Sequence, residues 1–331
     1  MTVTLEDVQS QLPTLRVSLS RVGVTGVEKV IRIEQGGVEQ LFSARLECFV
    51  DLGPRQKGAH MSRFEEVVNE AIGEVMLHES GFRAEHLAQH IAERVRDRQG
   101  ARRAEVTIEA RYPLQRPAPV SRIETQEIYS LFGSAVAGEA GTRRLVGVAA
   151  QGMTACPCAQ GLIAGRARER LAGEHGYGPA EIDRILEAVP VATHNQRGLG
   201  TLHVGLAEGN EATTIEARDL VEIVEGSMSS EIYELMKRSD EAAVVEKAHR
   251  RPRFVEDCVR EMVGGVVARY GSVLPADAFV SARQENLETI HQHNVVAERF
   301  GLLGELASEA AGSGEPAERH VSMRDWLDAR G

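Results

Sequence analysis

The sequence predicts an α+β fold of two similar halves, each combining antiparallel strands with helices. Apolar residues alternate with period two in some segments and fall at helical spacing in others. The same coarse order of patterns begins again in the second half, although the halves share no residue-level repeat. A length of 331 residues with 42% hydrophobic residues suits two globular domains.

The first half, residues 1–115, is predicted to contain strands, two helices and a further strand. Alternating apolar positions predict strands over 15–24 and 41–52, and Ser62 with Glu65 forms a capping box that predicts a helix start. The apolar positions of the two helices and the closing strand follow in order: Phe64, Val67, Val68 and Ala71; Leu87, Ala88, Ile91, Ala92 and Val95; Val106, Ile108, Ala110 and Tyr112.

A connecting loop is predicted over 116–141, because prolines and a Gly/Ala-rich stretch occur there. The second half, residues 142–300, is predicted to contain several strands and two helices. The strands lie near Leu145, over 201–206, over 279–282 and over 290–296; the helices cover 220–235 and the region after Pro252, which suits a first helical turn. Residues 301–331 are expected to form a linker and a mobile or accessory tail that contains Trp326.

The charge of the chain opposes a nucleic-acid partner. There are 49 Asp plus Glu against 38 Lys plus Arg, a formal net charge of -11. The sequence has neither a long apolar run nor a basic, apolar leader, so we expect no membrane span and a cytoplasmic location. A nucleotide needs only a local basic pocket, and solvated surface charge is the alternative for two candidate clusters: Lys57, His60 and Arg63, and Arg250, Arg251 and Arg253.

The four cysteines are too few and too unevenly spaced for a disulfide framework. Cys156 and Cys158 flank Pro157 in GMTACPCAQ, where the proline is expected to keep the backbone extended and to prevent a helix start. Two thiols in an extended stretch can face one site, although ordinary burial explains free cysteines equally well. The spacing is not CxxC, so it indicates neither a zinc knuckle nor a thioredoxin-like turn.

Histidines and carboxylates supply further candidates. His194, in THNQRG, lies in a polar segment and is either available to a metal or a phosphate or simply exposed. His291 and His293 are two residues apart in a predicted strand, so they are expected to share a face and to act on one substrate as ligand, acid or base. Glu241 and Glu256 are either functional carboxylates or solvated charge. One thiolate, one imidazole and one carboxylate would leave a hydrolytic metal site one open position, and suit Zn or Fe(II), with tolerance for Mn.

Together, the motifs resemble those of the type IB GTP cyclohydrolases, a prokaryotic family, from Asp7 to Arg299. Eight motifs occur in order along the chain: DVQ, SRVGVTGVEK, FVDL with KGAHMSRFEE, GMTACPCAQ, THNQRG, KRSDE, PRFVEDCVREM and ENLETIHQHN. The resemblance implies a tunnelling fold of two tandem units, each with antiparallel strands and paired helices. It also implies barrels completed by oligomerisation, which would cover exposed sheet edges, and we expect a homotetramer.

The resemblance implies hydrolysis of GTP at C8, release of formate and formation of 7,8-dihydroneopterin triphosphate, the entry to folate-type pterins. By the same resemblance, a divalent metal (Zn, Mn or Fe(II)) is bound by Cys156, His194 and Glu241. Glu256 is expected to hold the guanine edge, with His291 and His293 as the proton-transfer pair. The resemblance leaves Cys158 in a supporting role, and the candidates for binding the triphosphate are Lys57, His60, Arg63 and Arg197.

One departure from many bacterial members is the length of the link between Cys158 and His194. It contains thirty-five residues with two helical-looking segments, which, with IHQHN, is more similar to archaeal members. Those members use Fe(II) and form 7,8-dihydroneopterin 2',3'-cyclic phosphate, in a methanopterin-type pathway, so both products stay open. A nitrile reductase of queuosine synthesis lacks support because no nicotinamide-phosphate motif is found. A non-catalytic purine- or pterin-binding module and a structural metal protein are the remaining alternatives.

Overall fold

The computed structural model describes residues 8–35, 38–78, 83–210, 214–313 and 319–329. A short 3-10 turn, Val8–Ser10, precedes the first strand. The strands are β1 Leu19–Gln35, β2 Val38–Leu52, β3 Ala104–Pro117, β4 Glu124–Gly138, β5 Gly141–Ala155, β6 Asn195–Ala207, β7 Ser230–Glu231, β8 Phe279–Leu287 and β9 Val295–Leu302. The helices are α1 Met61–His78, α2 Ala84–Gln99, α3 Pro157–His175, α4 Pro179–Ala188, α5 Ala217–Ser227, α6 Arg238–Arg250, α7 Val255–Tyr270, α8 Leu303–Ala310 and α9 Met323–Leu327.

The described strands form one antiparallel sheet, which confirms the predicted α+β class. Its order is β1-β2-β3-β4-β5-β6-β8-β9, and the short β7 pairs with β5. Two strands, two helices and two strands follow one another twice along the chain, as β1β2α1α2β3β4 and as β5β6α5α7β8β9. The α3–α4 hairpin lies between β5 and β6, and α6 lies between α5 and α7. None of the described helices is long and apolar enough to cross a membrane.

Helices cover one face of the sheet, and the main core lies between these helices and the sheet. Alternate residues of β3, such as Val106 and Ile108, are buried against the apolar side of α2, where Leu87 and Ile91 are also buried. This is the arrangement expected for a sheet with one packed face. The two helices, the second strand and the closing strand predicted for the first half are therefore confirmed, whereas the first strand covers 19–35 and not 15–24.

The predicted loop over 116–141 is wrong, because residues 124–138 form strand β4 and continue through a tight turn into β5. The glycine that suggested a loop has a packing role. A Cβ added at Gly133 would lie 2.2 Å from the carbonyl carbon of Ala84, so the strand approaches the start of α2 more closely than a side chain allows. Pro117 is the last residue of β3, a position that a strand tolerates.

Three predicted boundaries in the second half also differ. The predicted helix over 220–235 ends at Ser227, where the side chain donates to the Val224 carbonyl and β7 follows. Pro252 lies before α7 rather than in its first turn, since that helix begins at Val255. The final strand begins at Val295, so residues 290–294 form a loop and not a strand.

The linker and mobile or accessory tail expected over 301–331 needs two corrections. Residues 303–310 form α8, and residues 319–329 are packed rather than mobile, on the face of the sheet opposite the helices. Trp326 is 3% exposed, packs against Leu145 and Phe279, and donates from Nε1 to the Asp277 carbonyl at 3.1 Å. A Cβ at Gly205 would lie 2.8 Å from the indole, so this glycine provides the space for the ring. Residues 314–318 of the predicted linker, and Asp7 of the DVQ motif, lie outside the described residues.

Candidate active site

The end of β5, the start of β6 and the end of β8 lie side by side at one end of the sheet. This brings the motifs GMTACPCAQ, THNQRG and ENLETIHQHN together. The last residue of β5, Ala155, pairs with Asn195 of β6, and Arg197 of β6 pairs with Leu287 of β8. Antiparallel pairing places residues directly opposite one another, and side chains two residues apart share a face. Continuing the two ladders by one step each therefore produces two facing pairs: Cys156 with His194, and Gln196 with Glu288.

Cys156 is half-buried and caps the start of α3. Its backbone N–H donates to the His194 carbonyl at 3.1 Å, and its carbonyl accepts from Thr193 Oγ1 at 2.8 Å. Its sulfur accepts from the backbone N–H of Ala159 at 3.5 Å. These contacts fix the backbone and the sulfur of Cys156 at the junction of β5 and α3.

The expectation that Pro157 prevents a helix start is wrong, because Pro157 is the first residue of α3. The first helical position needs no N–H donor, and the fixed φ of proline suits it. The restriction falls on the preceding residue instead, and Cys156 is extended at φ -77° and ψ 118°. Cys158 is exposed in the first turn of α3.

The two remaining cysteines belong to the core. Burial raises the pKa of Cys48 to about 12 and that of Cys258 to about 12. Both therefore stay protonated thiols at neutral pH, and packing explains them.

His194, Gln196 and Glu288 form a compact hydrogen-bonded group. Nδ1 of His194 lies 3.1 Å from Oε1 of Gln196 and 3.8 Å from the carboxylate of Glu288. Nε2 of Gln196 donates to Oε1 of Glu288 at 3.3 Å. The His194 side chain is 14% exposed and that of Glu288 7%. Our sequence reasoning missed Gln196 and Glu288; their positions within the THNQRG and ENLETIHQHN motifs were the available signal.

His291 and His293 lie in the loop between β8 and β9 rather than in the predicted strand. Their rings are nevertheless stacked, with centroids 5.2 Å apart and an interplanar angle of 12°. Thr289 Oγ1 donates to the Asn195 carbonyl at 3.1 Å, which holds this loop next to the start of β6. Both imidazoles are exposed, so they are accessible to a substrate at this edge.

Glu241 is exposed in the first turn of α6 and forms no hydrogen bond or ion pair with Cys156 or His194. Its neighbour Asp240 is fully buried and accepts from Ser121 Oγ at 2.7 Å and from the Val120 and Ser121 N–H groups at 2.8 Å. Burial alone would raise the pKa of Asp240, but these hydrogen bonds outweigh it and hold that pKa well below its usual range. Asp240 therefore fixes the start of the helix that carries Glu241.

Glu256 is exposed near the start of α7 and lines a cleft of about 520 Å³ between α7, β9 and α8. The cleft walls are largely apolar, with Val259, Val263 and Leu306 among them. The arrangement leaves the Glu256 carboxylate available as an acceptor at the mouth of this cleft.

Lys57, His60 and Arg63 lie beyond the end of β2, away from Cys156. The strand register places the end of β2 level with the β4–β5 turn. Cys156 follows the opposite end of β5, so the length of β5, about 50 Å, separates the end of β2 from Cys156. Arg63 donates to the Arg98 carbonyl at 3.0 Å at the end of α2. Arg197 is exposed on β6 and donates to Gln151 at 3.2 Å.

The arginines of the second basic cluster contact carbonyl groups at helix ends. Arg250 donates to the Glu187 carbonyl at the end of α4. Arg251 and Arg253 donate to the Gly226 and Ser227 carbonyls, both at 2.6 Å, at the end of α5. Such contacts satisfy carbonyls that a helix end leaves without partners.

The side chains at this end of the sheet suit a divalent metal, since sulfur, imidazole and carboxylate groups are ligands that Zn and Fe(II) accept. Cys156 and His194 face each other there, with Glu288 beside His194. In the part of the chain that the structure describes, no three His, Cys, Asp or Glu side chains converge as a complete metal cluster.

Comparisons with known proteins show the family of the chain. A family model described as type I GTP cyclohydrolase folE2 matches residues 5–297. GTP cyclohydrolase MptA of Methanococcus vannielii is 39% identical over 310 residues, covering 92% of this chain and 98% of the relative. GTP cyclohydrolase MptA of Methanosarcina acetivorans is 40% identical over 317 residues, covering 93% and 98%.

Among solved structures, a hyper-thermostable AgUricase mutant has a similar fold, with a TM-score of 0.50 and 6% sequence identity over 93% of this chain and 96% of that one. At that identity the likeness shows the fold alone. The family model covers most of the chain and the MptA relatives cover nearly all of it. The chain therefore belongs to the type I GTP cyclohydrolase folE2 family.

Proposed function

We propose that this chain is a metal-dependent, type IB GTP cyclohydrolase that hydrolyses GTP at C8, releases formate and forms 7,8-dihydroneopterin triphosphate, the first step of folate-type pterin synthesis. The observation that carries the proposal is the facing pair of Cys156 and His194 at a sheet edge of a chain whose relatives are GTP cyclohydrolases. A thiolate and an imidazole held by the strand ladder form the beginning of a hydrolytic metal site.

Cys156 and His194 would hold a divalent Zn, Mn or Fe(II) ion, with Glu241 or Glu288 as the carboxylate ligand. When bound, the ion supplies a Lewis acid and a water molecule that loses its proton near neutral pH. The half-buried sulfur and imidazole limit the exposure of this position to bulk water. Glu288 is the carboxylate closest to His194 and is therefore the first alternative to Glu241.

His291 and His293 would move protons during the reaction. Their exposed, stacked rings lie in one loop that is fastened to the strand after His194. One imidazole can protonate N7 of the guanine while the other serves a departing group, because an imidazole can act as a general acid or a general base. Glu256 would orient the base by accepting from a ring N–H and from the exocyclic amine of guanine.

The triphosphate would be bound by Lys57, His60, Arg63 and Arg197. Because the first three lie about 50 Å from Cys156 in one chain, they can reach the same GTP only from a second copy. In the described sheet order, β1 and β9 each have a neighbour on one side only. Pairing of such edges would close barrels from tandem tunnelling-fold units, and we propose a homotetramer.

The alternative product is 7,8-dihydroneopterin 2',3'-cyclic phosphate. The α3–α4 hairpin between Cys156 and His194 and the similarity to GTP cyclohydrolases MptA favour it. The test is anaerobic incubation of the metal-free protein with GTP after adding Zn, Mn or Fe(II) separately, with products separated and weighed by mass spectrometry. A linear triphosphate supports the first product; a cyclic monophosphate formed only with Fe(II) supports the alternative. GTP bound but returned unchanged with every metal would contradict the cyclohydrolase proposal and favour a binding module.

A further inference from the structure

The hydrogen bonds around Gln196 determine how its amide is turned. Gln196 is 6% exposed, and its two amide ends contact two different partners, His194 and Glu288. An ionised carboxylate can only accept hydrogen bonds, whereas an amide has one donating end and one accepting end. The NH2 group must therefore face Glu288, and the oxygen must face His194.

The orientation of the amide in turn decides which nitrogen of His194 carries the proton. The Gln196 oxygen, 3.1 Å from Nδ1, can only accept. Nδ1 must therefore carry the hydrogen, and in a neutral imidazole the other nitrogen, Nε2, then presents its lone pair. The buried carboxylate thus fixes the imidazole tautomer through one intervening amide.

The strand register supports the same arrangement. Gln196 is the second residue of β6, His194 directly precedes that strand, and Glu288 directly follows β8. Continuing the pairing of Arg197 with Leu287 by one step places Gln196 opposite Glu288, and Gln196 lies two residues from His194, so the extended backbone places all three side chains on one face. The strand ladder therefore positions Gln196, and the residues next to the strand ends carry its two partners.

We propose that Gln196 is a positioning residue that holds His194 with its proton on Nδ1, so that Nε2 is the ligand atom for the divalent metal. This inference rests on the proposed function, since it assigns His194 to the metal. It goes beyond the ligand assignment by naming the coordinating nitrogen and the residue that selects it. Groups of this kind, next to the ligands, typically change metal affinity by 10- to 100-fold.

The test compares Gln196→Met with Gln284→Met in the full-length protein. Both glutamines are buried on the same face of the sheet, but Gln284 donates to Asn286 and does not contact His194. The first readout is the Zn dissociation constant. The second, on the metal-free protein labelled with nitrogen-15 histidine, is the tautomer of His194, because protonated and unprotonated ring nitrogens have well-separated shifts.

For Gln196→Met we expect Zn binding weakened about 10- to 100-fold and a His194 spectrum that reports a mixture of tautomers. Gln284→Met is expected to keep the single Nδ1–H tautomer. Glu288→Gln, which removes the constraint on the amide orientation, is expected to produce a mixture as well. An unchanged tautomer and an unchanged Zn dissociation constant in Gln196→Met would overturn the inference.

A failure of the metal assignment is distinguishable from a failure of the inference. His194→Ala is expected to weaken Zn binding more than Gln196→Met does. If His194→Ala binds Zn as the unaltered protein does, the metal role of His194 in the proposed function is wrong. If His194→Ala loses Zn while Gln196→Met keeps both its affinity and its tautomer, only the role of Gln196 is wrong.

Discussion

The backbone N–H of Cys156 donates to the carbonyl oxygen of His194 at 3.1 Å, across the last step of the β5–β6 ladder. From Cys156 the chain continues into α3, and after α4 it returns to the sheet at His194. The long link between the two motifs is therefore a helical hairpin added outside the ladder. Its length does not alter the register of Cys156 and His194, so the insertion leaves the two proposed metal ligands opposite each other.

Replacing Cys156 by Ala is expected to abolish metal binding and turnover together, with a loss of activity of at least about 100-fold, because the metal would lose its thiolate ligand. Cys158→Ala is the matched control, since Cys158 is exposed one residue beyond the proline. Metal content by mass spectrometry and formate release provide the measurements. Full activity in Cys156→Ala would refute the assignment of this residue.

Mixed oligomers test whether one active site uses two copies of the chain. Arg63→Ala and Cys156→Ala are each expected to lower activity, and co-assembly should restore part of it. The physical reason is that a mixed interface can combine an intact Arg63 from one chain with an intact Cys156 from the other. Activity is measured after unfolding and refolding the two variants together. No recovery in oligomers that contain both chains would contradict a shared site.

The packing of the tail predicts a large effect of Trp326 on stability. Trp326→Ala is expected to lower the free energy of unfolding by about 3–5 kcal/mol, because it empties the site over Gly205, Leu145 and Phe279. Trp326→Phe retains most of the apolar volume and should cost less. Urea unfolding followed by circular dichroism measures both.

A pH effect on stability is predicted from His203, which lies beside the Phe132 ring with centroids 5.6 Å apart. Burial lowers the pKa of His203 to about 4, whereas an unfolded histidine titrates near 6.5. Below about pH 6.5 the unfolded chain binds a proton at this histidine more readily than the folded chain does. The contribution of neutral His203 to stability is therefore fully present above that pH. It is lost as the pH falls towards 4, by up to about 1.4 kcal/mol per pH unit.

His203→Gln is expected to flatten that slope in urea unfolding measured from pH 7 to pH 4. The exposed His175 at the end of α3 provides the control, and His175→Gln should keep the slope of the unaltered protein. An identical slope in His203→Gln and in the unaltered protein would show that other groups cause the pH dependence.

Hydrophobic periodicity predicted the elements whose apolar faces enter the core, such as α2 and β3. In these elements the apolar residues recur with the period of the helix or strand because one face is buried. It failed for β4, where small residues indicated a loop but serve the close approach of α2 at Gly133. It also failed at Pro157, since a proline is compatible both with an extended segment and with the first residue of a helix. Local sequence does not distinguish those two cases.

The candidate site was predicted by residue type and family motif, but its geometry was not. His291 and His293 are adjacent as expected, although a loop and not a strand brings them together. Gln196 and Glu288 were missed because they are about 90 residues apart in sequence, and only the pairing of β6 with β8 brings them together. The distance of Lys57 from Cys156 likewise follows only from the sheet order.

The most direct test of the central claim uses GTP labelled with carbon-13 at C8, incubated anaerobically with protein loaded with Zn, Mn or Fe(II). A GTP cyclohydrolase that uses Cys156 is expected to release the label as formate, one equivalent for each pterin formed, and its Cys156→Ala variant is expected to release none. Formate-free conversion of GTP, or binding of GTP without release of label under any of the three metals, would contradict the proposed activity.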